Sequence, residues 1–207
     1  MKSKKICILD YGSGNVGSLA NILSSSNYVV NISNEKKNIE NSTHIILPGV
    51  GAFGESIKEI KKRIPLDILE KEVHENNKPF LGICIGMQVL ADKSFEFGEH
   101  EGLGWISGNV EKLKAKKLPH VGWNNVKIVK KSPIFKNIEN LKDFYFVNSY
   151  SFKVKDERFV IAETQYESNF CSAVQKKNIF GVQFHPEKSH ATGKQLIKNF
   201  LETDTDA

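Results

Sequence analysis

The chain is poor in cysteine and tryptophan, and no stretch of it is both long and apolar. Its three cysteines, at positions 7, 84 and 171, are too few for a disulfide framework and too dispersed for a zinc site. That usage fits a reducing, cytoplasmic setting. The absence of any run of 18 or more apolar residues argues against a membrane-spanning helix. The lysine-rich start passes directly into Ile6-Cys7-Ile8-Leu9, too short and wrongly flanked for a signal peptide. Charge of one sign is also scarce: the formal net charge is +5 over 207 residues. Lys2–Lys5, Lys61–Arg63 and Lys114–Lys117 read as solvated faces. Without a basic stripe bearing aromatic platforms, nucleic-acid binding is not expected. Repeats, low-complexity tracts and linkers are missing too, so residues 1–207 are expected to form a single domain.

What is present changes character halfway along. In the first half, apolar runs at Lys5–Leu9, Val29–Ile32, His44–Leu47 and Pro79–Ile83 read as strands, the third ended by Pro48-Gly49. Helical patterns lie between them at Val16–Ser25, Glu55–Arg63 and Leu66–Glu75, and another begins at Met87–Ala91. This alternation predicts an α/β fold with a mostly parallel central sheet flanked by helices. The second half carries closely spaced strand-like runs: Asn109–Leu113, Asn125–Ile128, Phe144–Val147, Phe152–Val154, Val160–Thr164, Cys171–Gln175 and Ile179–Gln183. They predict antiparallel strands added to the parallel core. Gly193–Leu201 closes the chain as an amphipathic helix with Leu196, Ile197 and Phe200 on one side.

Two short segments carry chemistry. Gly82-Ile83-Cys84-Ile85-Gly86 follows an apolar strand and precedes a helical pattern. Glycines two residues either side of Cys84 permit a sharp turn that lifts the thiol above the sheet, at a helix N-terminus that favours the thiolate. There the Ile85 N–H is available to a developing oxyanion. Alone, this segment equally fits a small residue packed in a tight turn. The second segment is Phe184-His185-Pro186-Glu187. If strand geometry persists, His185 and Glu187 project to one side, so that Glu187 orients an imidazole that serves Cys84 as base. Cys7 and Cys171 read as small buried hydrophobes. Among the other histidines, His74 and His100 are expected to be exposed and His44 packed, and His190 has no evident partner.

With both segments, the chain resembles the class I (triad) glutamine amidotransferases, and within them the glutaminase-subunit family of imidazole glycerol phosphate synthase. The resemblance also rests on Asp10-Tyr11-Gly12-Ser13-Gly14-Asn15, Leu47-Pro48-Gly49-Val50-Gly51-Ala52-Phe53 and Gly86-Met87-Gln88. Pro119-His120-Val121-Gly122-Trp123-Asn124, Tyr145-Phe146-Val147-Asn148-Ser149-Tyr150 and Gly181–Ser189 extend it along nearly the whole chain. It implies that Cys84 attacks the glutamine carboxamide, with His185 moving protons and Glu187 orienting His185. Gln88, Ser149 and Tyr150 would hold the substrate, and the Gly49-Val50-Gly51 loop, with Ile85, would supply oxyanion donors. A plain turn after a strand is the alternative for that loop. The resemblance implies no cofactor or metal, and a separate (β/α)8-barrel cyclase subunit as partner in a heterodimer. Asn15, Trp123 and Lys188 would lie at or near that interface, with His120 beside them.

One residue departs from the family pattern: Asn148 stands where this subunit family usually carries histidine. That leaves open a paralogue supplying ammonia for amidination of a bacterial surface sugar. A catalytically dead scaffold is disfavoured by the intact Cys84, His185 and Glu187. A cysteine peptidase is disfavoured by Gln88 and Ser149-Tyr150, which suit a small amide.

Overall fold

The computed structural model describes residues 3–24 and 28–203. Lys2 and Ser25, at the ends of two segments named above, lie outside them. The strands are β1 (Lys5–Ile8), β2 (Val29–Ile32), β3 (His44–Gly49), β4 (Phe80–Cys84), β5 (Lys93–Ser94), β6 (His100–Glu101) and β7 (Gly108–Lys112). There follow β8 (His120–Ile128), β9 (Lys142–Asn148), β10 (Tyr150–Val154), β11 (Val160–Tyr166), β12 (Ser168–Lys176) and β13 (Ile179–Val182). The helices are α1 (Val16–Ser24), α2 (Lys36–Asn41), α3 (Phe53–Arg63), α4 (Leu66–Glu70), α5 (Ile85–Gln88) and α6 (His190–Leu201). No helix among the described residues is long and apolar enough to cross a membrane.

Nine strands form one mixed sheet in the order β2-β1-β3-β4-β13-β12-β11-β8-β9. Ladders from β2 to β13 are parallel and those from β13 to β9 antiparallel. A smaller sheet, β10-β7-β5-β6, lies beside it. Central strands β3, β4 and β13 are buried at every position, as strands covered on both faces must be. In α3, Phe53, Ser56, Ile57 and Ile60 are buried, the stripe expected of a helix laid on a sheet. Helix α6 buries Leu196, Ile197 and Phe200, as its pattern predicts, but starts three residues early.

Several boundaries differ for identifiable reasons. Pro48 and Gly49 do not end β3; they continue it, opposite Ile83 and Cys84 in the parallel register. The helical pattern through Leu66–Glu75 divides into α4 and a π-helical turn, Lys71–Glu75. The helix expected over Met87–Ala91 is instead the single turn α5, which begins directly after Cys84. Helix α2 was not expected, because Ile39 is its one buried residue and shows no period.

Candidate active site

Strand β4 ends in a backbone that few residues tolerate. Cys84 has φ 55° and ψ −108°, a left-handed conformation that costs a non-glycine residue roughly 1–3 kcal/mol. A Cβ on Gly82 would lie 2.3 Å from the Gly86 carbonyl oxygen, and one on Gly86 only 1.8 Å from that of Leu47. Both glycines are therefore required by close backbone approach, which sets the Cys84 side chain at the mouth of the fold. The thiol is nearly enclosed, with Cys84 4% exposed. Because α5 is one turn long, it offers a few free N–H groups rather than a long helix dipole.

Strand β13 runs parallel to β4, with Val182 opposite Ile83, and delivers His185 beside the elbow. The His185 N–H is fixed to the Tyr145 carbonyl at 2.8 Å. His185 Nδ1 lies 2.8 Å from Glu187 Oε1, which leaves Nε2 for the Cys84 sulfur. Burial alone would lower the His185 pKa; its hydrogen bonds to Cys84 and Glu187 outweigh burial and raise it above the ordinary imidazole value. His185 and Glu187 thus meet, but through a 3-10 turn at Pro186–Lys188 rather than an extended strand end.

Cys84 and His185 line a cavity of about 270 Å³, with Val50, Gly51, Ile85, Gln88, Ser149, Tyr150 and Lys188 among its walls. Gly49 lies opposite Cys84 in the β3–β4 register, and the Tyr11 hydroxyl lies 2.2 Å from where its Cβ would be. Gly51 has φ 102°, and Ser13 Oγ donates to the Val50 carbonyl at 2.5 Å. Gln88 is buried; its Nε2 donates to the Tyr150 carbonyl at 3.1 Å and to Gln183 Oε1 at 2.9 Å, while its Oε1 has no partner. Asn148 also lines the cavity and donates to the Tyr150 carbonyl at 3.0 Å.

Two residues here had no role in the sequence reading. Glu96, on the β5–β6 connection, borders the cavity and accepts from the Phe53 N–H at 2.7 Å, capping α3. No spacing rule marks it. Gln183 stands in a quoted motif, but a glutamine inside an apolar run does not disclose what it bonds. A larger cleft of about 650 Å³ runs between β7/β10 and β11/β12. It holds Cys171 opposite Glu163 in the β11–β12 register, but burial pushes that thiol up to about 12.

The expected interface residues separate. Trp123 is 47% exposed, Lys188 is exposed and Asn15 is half-buried. Trp123 shares a face with Val121, Tyr145 and Val147 through the β8–β9 register, and Lys188 Nζ sits 5.5 Å over the Tyr145 ring. His120 is not part of that surface. It is buried, stacked on Tyr166 at 4.0 Å, with Asn124 Nδ2 3.2 Å from its Nε2. His190, which had no evident partner, stacks on Trp123 at 4.9 Å. His100 is half-buried rather than exposed, because its ring fills the space beside Gly54.

Comparison with known proteins places these features in company. Residues 7–203 match the model of the family described as glutamine amidotransferase class-I. Imidazole glycerol phosphate synthase subunit HisH 2 of Methanococcus maripaludis is 43% identical, covering 95% of this chain and 98% of its own. Subunit HisH of Caldanaerobacter subterraneus is 45% identical, covering 95% and 97%. A solved structure titled glutamine amidotransferase superposes with TM-score 0.75 at 19% identity, covering 95% of this chain and 97% of its own, a likeness of fold.

Proposed function

This chain belongs to the glutamine amidotransferase class-I family, and from that premise we propose that it is the glutaminase subunit of an imidazole glycerol phosphate synthase. It works in the cytoplasm, as one catalytic domain, with a (β/α)8-barrel cyclase subunit that consumes its ammonia for histidine biosynthesis. Identity of 40–45% to named subunits of that synthase over nearly the full chain supports the assignment. The observation that carries the chemistry is the buried His185–Glu187 pair at 2.8 Å beside Cys84.

In the proposed cycle the Cys84 sulfur attacks the carboxamide carbon of glutamine. Backbone N–H groups of Ile85 and the Gly49–Gly51 loop hold the oxyanion. His185 gives its proton to the departing nitrogen, and ammonia leaves. Water then adds to the glutamyl thioester while His185 takes its proton, and glutamate departs with Cys84 restored. Gln88, Ser149 and Tyr150 hold the substrate. Trp123, Asn15 and Lys188 contact the partner.

Ammonia release from glutamine, with and without the cyclase and its nucleotide ligand, tests this reading. Strong stimulation by the loaded cyclase is expected, and Cys84→Ala should abolish release in both conditions. Full turnover by the chain alone would overturn the dependence on a partner; release by Cys84→Ala would overturn the mechanism. Asn148 at the cavity wall favours one second reading, a paralogue that feeds amidination of a surface sugar. Failure to complement a histidine auxotroph lacking this subunit, despite good expression, would select it.

A further inference from the structure

We infer that Gln183 is a positioning residue for the nucleophile: its amide N–H holds the Cys84 sulfur and ties it to Gln88. This rests on the reading of Cys84 as nucleophile given above.

The orientation of three amides follows from one backbone group. The Tyr150 carbonyl can only accept, so Gln88 and Asn148 must both turn NH2 groups towards it. The other hydrogen of the Gln88 NH2 then meets Gln183 Oε1 at 2.9 Å. Gln183 is left with its own NH2 facing Cys84 Sγ, at 3.7 Å. A donor at that distance is a weak partner for a neutral thiol and a better one for a thiolate, because charge-assisted hydrogen bonds are stronger.

Gln183 is also unable to leave. It is fully buried, and its backbone N–H is bonded to the Ser172 carbonyl at 2.9 Å. Gln88 lines the substrate cavity, and its Oε1 is buried without a partner. A substrate N–H arriving there would polarise the Gln88 amide, and through it the N–H that Gln183 presents to sulfur. Occupancy of the cavity is thereby felt at the nucleophile.

The other titratable groups around Cys84 are His185 with Glu187, Tyr11 beside Gly49, and Glu96, Tyr150 and Lys188 on the cavity wall. Substituting Gln183 leaves each of them in place.

The test is the pH profile of iodoacetamide labelling of Cys84 in the full chain, followed by peptide mass. Cys7 and Cys171, whose thiols burial raises to about 11 and about 12, serve as internal references. Gln183→Met keeps length and removes the donor. It should move the labelling midpoint up by about one pH unit and slow labelling about tenfold at a given pH below the midpoint. Gln88→Met, which removes the anchor of the Gln183 amide, should move it less and in the same direction. A Gln183→Met profile superimposable on the parent's, in a chain that melts normally, overturns the inference. Should that variant not fold, an unmoved Gln88→Met profile does the same. His185→Asn separates the two readings: if it leaves the profile unmoved, the catalytic assignment itself fails, whatever Gln183 does.

Discussion

The two ends of the large sheet are built on different terms. From β2 to β13 the strands are parallel, and the central ones are buried on both faces. From β12 to β9 they are antiparallel, and β8 and β9 alternate buried with open positions. The parallel part places the Gly49–Gly51 loop, Cys84 and His185 at or just beyond the carboxyl ends of β3, β4 and β13, where open α/β sheets hold ligands. The antiparallel part presents Val121, Trp123 and Val147 to the outside, with half-buried Tyr145 among them. Chemistry is thus anchored where the backbone has no freedom. The proposed partner surface lies where side chains can change without disturbing the core.

The sharpest test of that contrast is the elbow. Gly86→Ala puts a methyl group into the Leu47 carbonyl, and backbone cannot step aside as a flexible side chain can. A loss of about 3 kcal/mol or more is expected in urea denaturation, with ammonia release lost as well. A stable, active Gly86→Ala chain would break the claim that crowding fixes the nucleophile. On the antiparallel side, Trp123→Ala should change the stability of the isolated chain by less than about 0.5 kcal/mol. Its effect should appear in binding instead: about 2 kcal/mol, or roughly thirtyfold in Kd for the proposed cyclase subunit by calorimetry. Unchanged affinity would remove Trp123 from the interface.

How far the sequence could be read follows the same division. Apolar runs such as Phe80–Ile83 disclose parallel strands because burial on both faces leaves no polar position to confuse the pattern. Strands β5 and β6 are two residues each and have no period to detect. The His185–Glu187 pair is legible as a motif although its backbone is a 3-10 turn, since such a turn and a strand end both bring residues two apart together. Proximity in sequence groups His120 with Trp123, yet a spacing of three in a strand puts them on opposite faces. Glu96 and Gln183 owe their places to contacts across the fold, and nothing local to either announces them.

A smaller loss than that at Gly86 separates two reasons for glycine. Gly122, between Val121 and Trp123 on β8, has φ 128°, but a Cβ there would meet nothing within 4 Å. Gly122→Ala therefore carries only the conformational cost of an unfavourable φ, about 1–2 kcal/mol, against the steric cost at Gly86. Urea denaturation of the two variants side by side measures the difference. If both lost the same amount, open space on the β8 face would be no softer than the crowded elbow, and the division of labour would have to rest on residue chemistry alone. If Gly122→Ala loses clearly less, the antiparallel end can absorb change in its backbone as well as its side chains. That is the tolerance a surface needs if it is to follow a partner while the triad beside it stays fixed.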